Sequence, residues 1–441
     1  MKKLLALSFF FCMSRTHPPI AEARMIPQKS VLDNGIVLLT SEQRGLPMVT
    51  LKLLIDAGSR YDPAGREGLA CLTARLLTYG TRSRTALQIS EALDFIGGSL
   101  NTACDDESAG ITLTVLKKDL SRGLMILADV LTASTFPPEE IDRQKQAVIA
   151  AIRAKSENPG DIAYRKFSEA LFPQSPYGRP AEGTEESVKK IERSDLMEFY
   201  RSFFRPNRTI LAAVGEIGHP EALKRLTKAL QGWERGPETK DSVPSPRAGA
   251  GDIIRVQKSI TQANIVIGHE GVPRSHPDYY AIQVMNYILG GGGFSSRLMD
   301  SIRNDRGLAY SVYSHYDTGK YVGSFQIVMQ TKNETANEAI RITKDEIQRI
   351  REKGVSDEEL KAAKDYLVGS FPLRLDTNRR IASFLAQVEF FELGLDYPDR
   401  YPELIGRVTK ADVLRVAKRY LQPEKLIVVV VSDQDKTDAK R

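Results

Sequence analysis

An internal repeat is the feature of this sequence that most constrains its fold. In each half, a long helical pattern is followed by a second helical pattern, by a proline-containing turn and by an apolar strand. These segments include residues 139–141, 195–200, 205–208 and 209–214 in the first half and 358–360, 412–414, 422–425 and 426–431 in the second. A repeat of roughly 200 residues is far longer than a solenoid unit, so it indicates duplication of a whole domain.

A linker separates the two halves. Residues 231–252 are rich in Gly, Pro, Ser and charged residues and lack apolar periodicity, which is typical of an interdomain segment. We therefore predict an N-terminal domain at 24–230 and a C-terminal domain at 253–441.

Strand and helix patterns mix within each half. Apolar and β-branched runs at 50–55, 110–115, 265–268 and 323–329 are interleaved with longer helical stretches. Mixing without strict alternation favours an α+β fold, in which a sheet is layered with helices. The 441 residues are 41% hydrophobic, enough for large cores, and the net charge of +6 is spread along the chain. Disorder and a nucleic-acid-binding arm are therefore excluded.

The N-terminus has the pattern of a secretory signal. Lys2 and Lys3 precede an apolar run at 4–13, and the small-x-small sequence at 21–23 resembles a cleavage site. The apolar run is about half of the ~20 residues that span a bilayer, so a permanent membrane helix is not expected. We predict that 1–23 is a signal peptide and that the protein is exported, to the periplasm. A disordered leader, or a true start at Met25, is the alternative.

The three cysteines limit the chemistry that is available. Cys12, Cys71 and Cys104 cannot build a disulfide framework, and their spacing is not that of a zinc ribbon. Cys71 has no identifiable base beside it, so a structural thiol is favoured over a nucleophile. A disulfide between Cys71 and Cys104 is possible in an exported protein.

The segment 58–81 carries the most informative motif. It reads as a strand exit, a Gly/Pro turn and a helix that ends near Gly80-Thr81. It resembles zinc metallopeptidases of the pitrilysin or insulinase type, especially the branch that is similar to the mitochondrial processing peptidase. Pro176-Tyr177-Gly178, Gly183-Thr184 and the loop 290–298 extend the resemblance over nearly the whole chain. The resemblance implies two homologous domains, each with a mostly antiparallel sheet, facing each other as half of a clamshell.

The resemblance also implies where zinc ligands would stand. Family enzymes carry H-x-x-E-H on this helix, with two imidazoles one turn apart and a glutamate that activates the zinc-bound water. The matching residues here are Cys71, Ala74 and Arg75, and the third ligand position falls at Ala150 or Ala151. A helical projection places Cys71, Ala74 and Arg75 opposite an apolar face. None can serve as a zinc ligand in this register, and the Arg75 guanidinium would repel a divalent cation. We therefore predict no metal and no cofactor in this chain.

The second half keeps a pair of residues that the resemblance makes functional. Arg303 and Tyr310 match the arginine and tyrosine that catalytic members use to contact the substrate backbone and the transition-state oxyanion. Guanidinium and phenol are hydrogen-bond donors that need no metal. The alternative is an exposed helix-end Arg and a core Tyr. The glycine-rich loop 290–298 lacks the ending of a P-loop and is interpreted as structural.

Asn101, Thr102 and Ala103 match the strand on which relatives hold an extended peptide by main-chain pairing. An ordinary strand within the sheet is an equally good interpretation.

These features favour a zinc-less, non-catalytic subunit that supplies substrate and transition-state contacts to a homologous partner chain with an intact H-x-x-E-H. On this hypothesis zinc is bound by the partner, and the substrate is an extended peptide. One alternative is a structural or peptide-binding protein with no role in proteolysis. A weaker one is an autonomous peptidase with unusual ligands.

Overall fold

The computed structural model describes residues 26–237, 249 and 251–438. The predicted signal peptide and most of the predicted linker lie outside the described residues. No described helix is long and apolar enough to cross a bilayer.

Within the described residues, the first half has six strands and eight α-helices. The strands are Gln28–Val31 (β1), Val37–Glu42 (β2), Met48–Ile55 (β3), Ser99–Cys104 (β4), Ala109–Leu116 (β5) and Thr209–Gly215 (β6). The helices are Leu69–Leu76 (α1), Ala86–Phe95 (α2), Leu120–Ala133 (α3), Pro138–Glu157 (α4), Pro159–Leu171 (α5), Glu185–Lys190 (α6), Arg193–Phe203 (α7) and His219–Leu230 (α8).

The described part of the second half has five strands and seven α-helices. The strands are Ile253–Gln257 (β7), Gln262–Glu270 (β8), Ala309–Thr318 (β9), Gly323–Lys332 (β10) and Ile427–Ser432 (β11). The helices are Tyr279–Asn286 (α9), Ala336–Lys353 (α10), Asp357–Gly369 (α11), Asn378–Phe390 (α12), Tyr397–Gly406 (α13), Lys410–Tyr420 (α14) and Gln434–Asp438 (α15).

The two sheets repeat one topology. The first has the order β1-β2-β6-β3-β5-β4 and the second β7-β11-β8-β10-β9. Each contains one parallel pair, β2 with β6 and β7 with β11, and the other pairs are antiparallel. The α+β fold and the duplication predicted from the sequence are therefore confirmed. Strand β4 in the first sheet occupies the same edge position as β9 in the second.

One helix of each half packs against the sheet of the other half. Helix α5 packs Ala163, Phe167 and Leu171 against the second sheet, where they share an apolar cluster with Val266 and Val429. Helix α12 packs Ala382, Leu385 and Ala386 against the first sheet, in a cluster with Leu39 and Val214. Burial of apolar surface across this exchange couples the two halves.

A hairpin loop makes a second contact between the halves. The carboxylate of Glu107 accepts the backbone N–H groups of Lys320 and Tyr321, which connect β9 to β10. The Arg60 guanidinium carbon lies 4.5 Å from the centre of the Tyr321 ring. The pKa of Glu107 is raised by burial, because water no longer solvates its charge.

Candidate functional site

Two close backbone contacts position helix α1. Gly68 precedes the helix at φ 95°, and a Cβ there would lie 2.5 Å from the carbonyl oxygen of Glu182. Gly183, at φ 81°, would bring a Cβ within 2.1 Å of the carbonyl oxygen of Glu67. Both positions therefore require glycine, because a side chain would collide with the opposite backbone. Asp62 accepts the N–H groups of Gly68 and Ala70 at 2.7 and 2.8 Å, and burial raises the pKa of Asp62 to about 7.

The three degenerate metal positions share one face of α1, but only Arg75 on that face is exposed. Cys71 is half-buried and Arg75 is exposed, with its Nη1 3.5 Å from Oε1 of Gln144 on α4. Ala74 is only 1% exposed. The projection correctly groups these residues, but it does not predict that their face is covered at Ala74. The helix is short and contacts α7, β4 and α4, so more than one of its faces is covered.

The third ligand position, Ala150 or Ala151, also has no side-chain atom that could bind a metal. Ala150 and Ala151 are exposed on α4, whereas Val148 is 8% exposed and faces α1. A cavity of about 200 Å³, which we call the Cys71 cavity, is lined by Val148, Cys71, Ala74 and Arg75. Glu182 supplies a carboxylate at this cavity but is ion-paired with Lys155. Within the described part of the chain there is no group of three or more His, Cys, Asp or Glu residues that could hold a metal ion.

A disulfide closes one side of this cavity. Cys71 and Cys104 are bonded, with their Cα atoms 5.2 Å apart. The sequence left this pairing open, because spacing alone gives no distance between two cysteines. The bond joins α1 to the end of β4. The Cys71 thiol is therefore not available as a nucleophile in this structure.

Strand β4 lies at the edge of the first sheet. Asn101, Thr102 and Ala103 pair with β5 on one side only, and exposure alternates along the strand. Thr102 and Ala103 line the cavity with Cys71, Ala74 and Arg75, whereas Asn101 does not. An edge strand has free backbone donors and acceptors, which an added peptide strand can satisfy.

Arg303 and Tyr310 are neighbours in the second half. Arg303 lies on a π-helical segment, Met299–Asn304, and Tyr310 lies on the edge strand β9 with 79% of its surface exposed. The guanidinium carbon is 5.0 Å from the Tyr310 ring centre and 4.8 Å from that of Phe294. The arginine is therefore held between two aromatic rings by cation–π attraction. Tyr310 is not a core residue, so that alternative fails. This pair is not among the residues that line the Cys71 cavity.

Sequence reasoning missed four residues around these sites: Gln144, Val148, Glu182 and Phe294. Phe294 had a local signal, since an exposed aromatic follows the glycines of the loop 290–293. Gly290 is needed for packing, because a Cβ there would lie 2.5 Å from Oγ of Ser314 on β9. Close packing supports the structural interpretation of the loop.

Two family models match this chain over most of its length. Residues 37–185 match the family model described as insulinase (peptidase family M16), and residues 190–367 match the one described as peptidase M16 inactive domain. An uncharacterized zinc protease of Streptomyces coelicolor is 28% identical over 93% of this chain and 90% of its own length. A non-peptidase homolog of Helicobacter pylori is 27% identical over 94% of this chain and 96% of its own.

A solved structure shows the same fold. The crystal structure of a peptidase M16 inactive domain from Pseudomonas fluorescens superposes with a TM-score of 0.87 at 26% identity. It covers 92% of this chain and 98% of the solved one. The family matches, the duplicated sheets and the degenerate zinc motif agree with one another: the chain belongs to the M16 family of peptidases and peptidase homologues.

Proposed function

We propose that this protein is the non-catalytic subunit of a two-chain M16 peptidase, in which a homologous partner carries an intact H-x-x-E-H and its zinc. One observation supports this most strongly. The side chains at Cys71, Ala74, Arg75 and Ala151 cannot form a zinc site, yet Arg303 and Tyr310 are kept side by side. A chain that had lost all part in proteolysis would have no need to keep that pair.

Arg303 and Tyr310 suit a role in stabilising developing negative charge. The guanidinium and the phenol O–H are donors, and the two rings restrict where the guanidinium can move. Preorganised donors at an oxyanion contribute a few kcal/mol to lowering the barrier, about 10²–10³ in rate for one donor. The exposure of Tyr310 leaves its hydroxyl accessible to a substrate held by the partner.

Peptide binding by β4 completes the proposal. Asn101, Thr102 and Ala103 would pair with an extended peptide through main-chain hydrogen bonds, a mode that tolerates many sequences. Export to the periplasm, proposed from residues 1–23, would place the complex among extracytoplasmic peptides.

Co-purification followed by a cleavage assay tests this function. The chain is purified alone, with an H-x-x-E-H homologue, and as Arg303→Ala with that homologue. We expect cleavage only by the pair, and a loss of about 10²-fold or more with Arg303→Ala. Arg306→Ala is the matched control, because Arg306 is a nearby exposed arginine that donates to the backbone of Ser301. An unchanged rate with Arg303→Ala contradicts the assigned role.

The name of the Helicobacter pylori relative, a non-peptidase homolog, favours a second candidate. The chain would then bind a peptide or a homologous chain without any role in proteolysis. Binding of the partner with no stimulation of cleavage would support this second function and reject the first.

A further inference from the structure

Arg274 is a buried cation, and no carboxylate among the described residues pairs with it. It follows β8 and is 8% exposed. Its Nη2 donates to the Tyr397 hydroxyl at 2.8 Å, and its Cζ lies 3.6 Å from the Tyr279 ring centre. Tyr280 and Tyr397 present further rings at 5.6 and 5.4 Å. No ion pair of Arg274 with a carboxylate occurs within the described residues.

The tyrosine rings around Arg274 stabilise its positive charge but do not neutralise it. Tyrosine faces attract a guanidinium, but they do not replace an anion. The guanidinium has five N–H donors in a fixed fork, of which the Tyr397 hydroxyl accepts one. A carboxylate that approaches the fork can accept two more in parallel.

Arg274 lines a cavity of about 480 Å³, which we call the Arg274 cavity. His276, Tyr280, Lys320, Arg400 and Glu392 are among the residues that line it. Glu392 is the acidic residue of this lining, and its Oε1 lies 3.4 Å from Lys320 Nζ. Arg400 is also paired, with its Nε 2.8 Å from Asp396 Oδ2, so Arg274 is the lining guanidinium that no described carboxylate neutralises. One uncompensated guanidinium is matched in charge by one singly charged carboxylate.

The Arg274 cavity adjoins the contact between the two halves. The backbone N–H of Arg274 donates to the Gly319 carbonyl at 2.9 Å. Gly319 belongs to the hairpin loop that contacts Glu107 of the first half. Lys320 and Tyr321 of this hairpin line the cavity. A ligand in the cavity would thus lie beside the region where the halves meet.

We propose that the Arg274 cavity binds a carboxylate group of a peptide, with Arg274 as its bidentate donor. The proposal rests on the proposed function only in taking the ligand to be a peptide. Two sources share this chemistry: the C-terminal carboxylate and the side chain of Asp or Glu.

Calorimetric titration of the full chain with three matched peptides distinguishes them. The first has a free C-terminus and no acidic residue, the second is its C-terminal amide, and the third is the amide with one Asp. We expect the plain amide to bind at least about tenfold more weakly than one of the two carboxylate peptides, which identifies the source. Arg274→Gln should remove the difference, and Arg274→Lys, which keeps the charge but lacks the fork, should reduce it.

Arg374→Gln is the matched control. Arg374 also stacks on aromatic rings of the second half, those of Phe371 and Tyr401, but it does not line the cavity. Circular dichroism establishes that each variant is folded. If Arg274→Gln fails to fold, Lys320→Gln takes its place, because it leaves Glu392 unpaired at the cavity and should reduce the preference for a carboxylate.

Equal binding of the three peptides, or no binding of any, would overturn the proposal. So would a carboxylate preference that persists in the folded variants. The outcome is separate from the cleavage assay, since a carboxylate preference without stimulated cleavage rejects the proposed function and leaves the Arg274 site intact.

Discussion

Cys71 and Cys104 are covalently bonded, and their disulfide joins helix α1, which carries the degenerate zinc motif, to the end of the edge strand β4. In the register predicted from the sequence, Cys71 stands where the first zinc-binding histidine would be. If that register holds, a covalent link between a helix and a strand stands where a zinc ligand would be. The elements around the Cys71 cavity are fixed without a metal.

Reduction of this disulfide should destabilise the protein. The two cysteines are 33 residues apart in sequence. By loop-closure entropy, removing the cross-link costs about 3.7 kcal/mol of unfolding free energy. Thermal unfolding with and without a dithiol reductant measures the effect, and the double variant Cys71→Ser/Cys104→Ser should show no further response to reductant. An unchanged midpoint on reduction of the wild type would show that the bond contributes nothing.

Restoring the glutamate of the zinc motif should damage the fold. Ala74→Glu places a carboxylate at a position that is 1% exposed, without a partner, and should cost about 3 kcal/mol or more. Ala151→Glu is the control, because Ala151 is exposed and a substitution there should stay within about 0.5 kcal/mol. Urea unfolding of the two variants compares them. Equal stability would contradict the burial of Ala74.

Removing the Tyr310 hydroxyl should lower the cleavage rate of the complex without changing the stability of this chain. Tyr310 is 79% exposed, so Tyr310→Phe should change the unfolding free energy by no more than about 0.5 kcal/mol. In the complex with an H-x-x-E-H partner, the same change should lower kcat/KM about 10²-fold through loss of an oxyanion donor. Tyr313→Phe, on the same strand and 44% exposed, should leave kcat/KM unchanged. Similar kcat/KM values for Tyr310→Phe and Tyr313→Phe would show that the Tyr310 hydroxyl has no part in the mechanism.

Asp106 should make stability depend on pH. Burial raises the pKa of Asp106 to about 7, and nearby carboxylates add to the effect, while Ser59 donates to its Oδ1 at 3.2 Å. The folded chain then holds a proton that the unfolded chain loses near its ordinary pKa. The resulting stabilisation is complete below about pH 4 and is lost as the pH rises to about 7.

The variant Asp106→Asn keeps the hydrogen-bond acceptor and removes the titration. Between about pH 5 and about pH 8, the wild type should lose on the order of 2 kcal/mol relative to this variant. Denaturant unfolding at the two pH values measures the difference. Asp94→Asn, on the exposed surface of α2, should follow the wild type. Parallel pH profiles for wild type and Asp106→Asn would refute the raised pKa.

Local patterns were enough to predict the elements, because alternation and helical periodicity depend on neighbours in sequence. The strands predicted at 209–214 and 426–431 are β6 and, within one residue, β11, and the helices predicted near Glu139 and Glu358 are α4 and α11. The exchange of α5 and α12 between the halves could not be predicted in this way. Either helix has an apolar face, and only the tertiary fold decides which sheet covers it.

The site was predictable in part for the same reason. Motif spacing located Cys71 and Arg75 on one helix and Arg303 near Tyr310. It did not reveal that Ala74 is buried, that Val148 rather than Ala151 faces α1, or that Cys104 reaches Cys71. Each of these depends on distances between segments that are far apart in the chain.

The account depends on the loss of metal-binding chemistry from this chain, and zinc content tests it most directly. The purified full-length protein is dialysed against zinc, then against metal-free buffer, and its metal is measured by mass spectrometry. We predict well below one zinc per chain, since Cys71 is in a disulfide, Ala74 and Ala151 have no donor atom and Arg75 is cationic. One tightly held zinc per chain, together with chelator-sensitive peptide cleavage by this chain alone, would contradict the account.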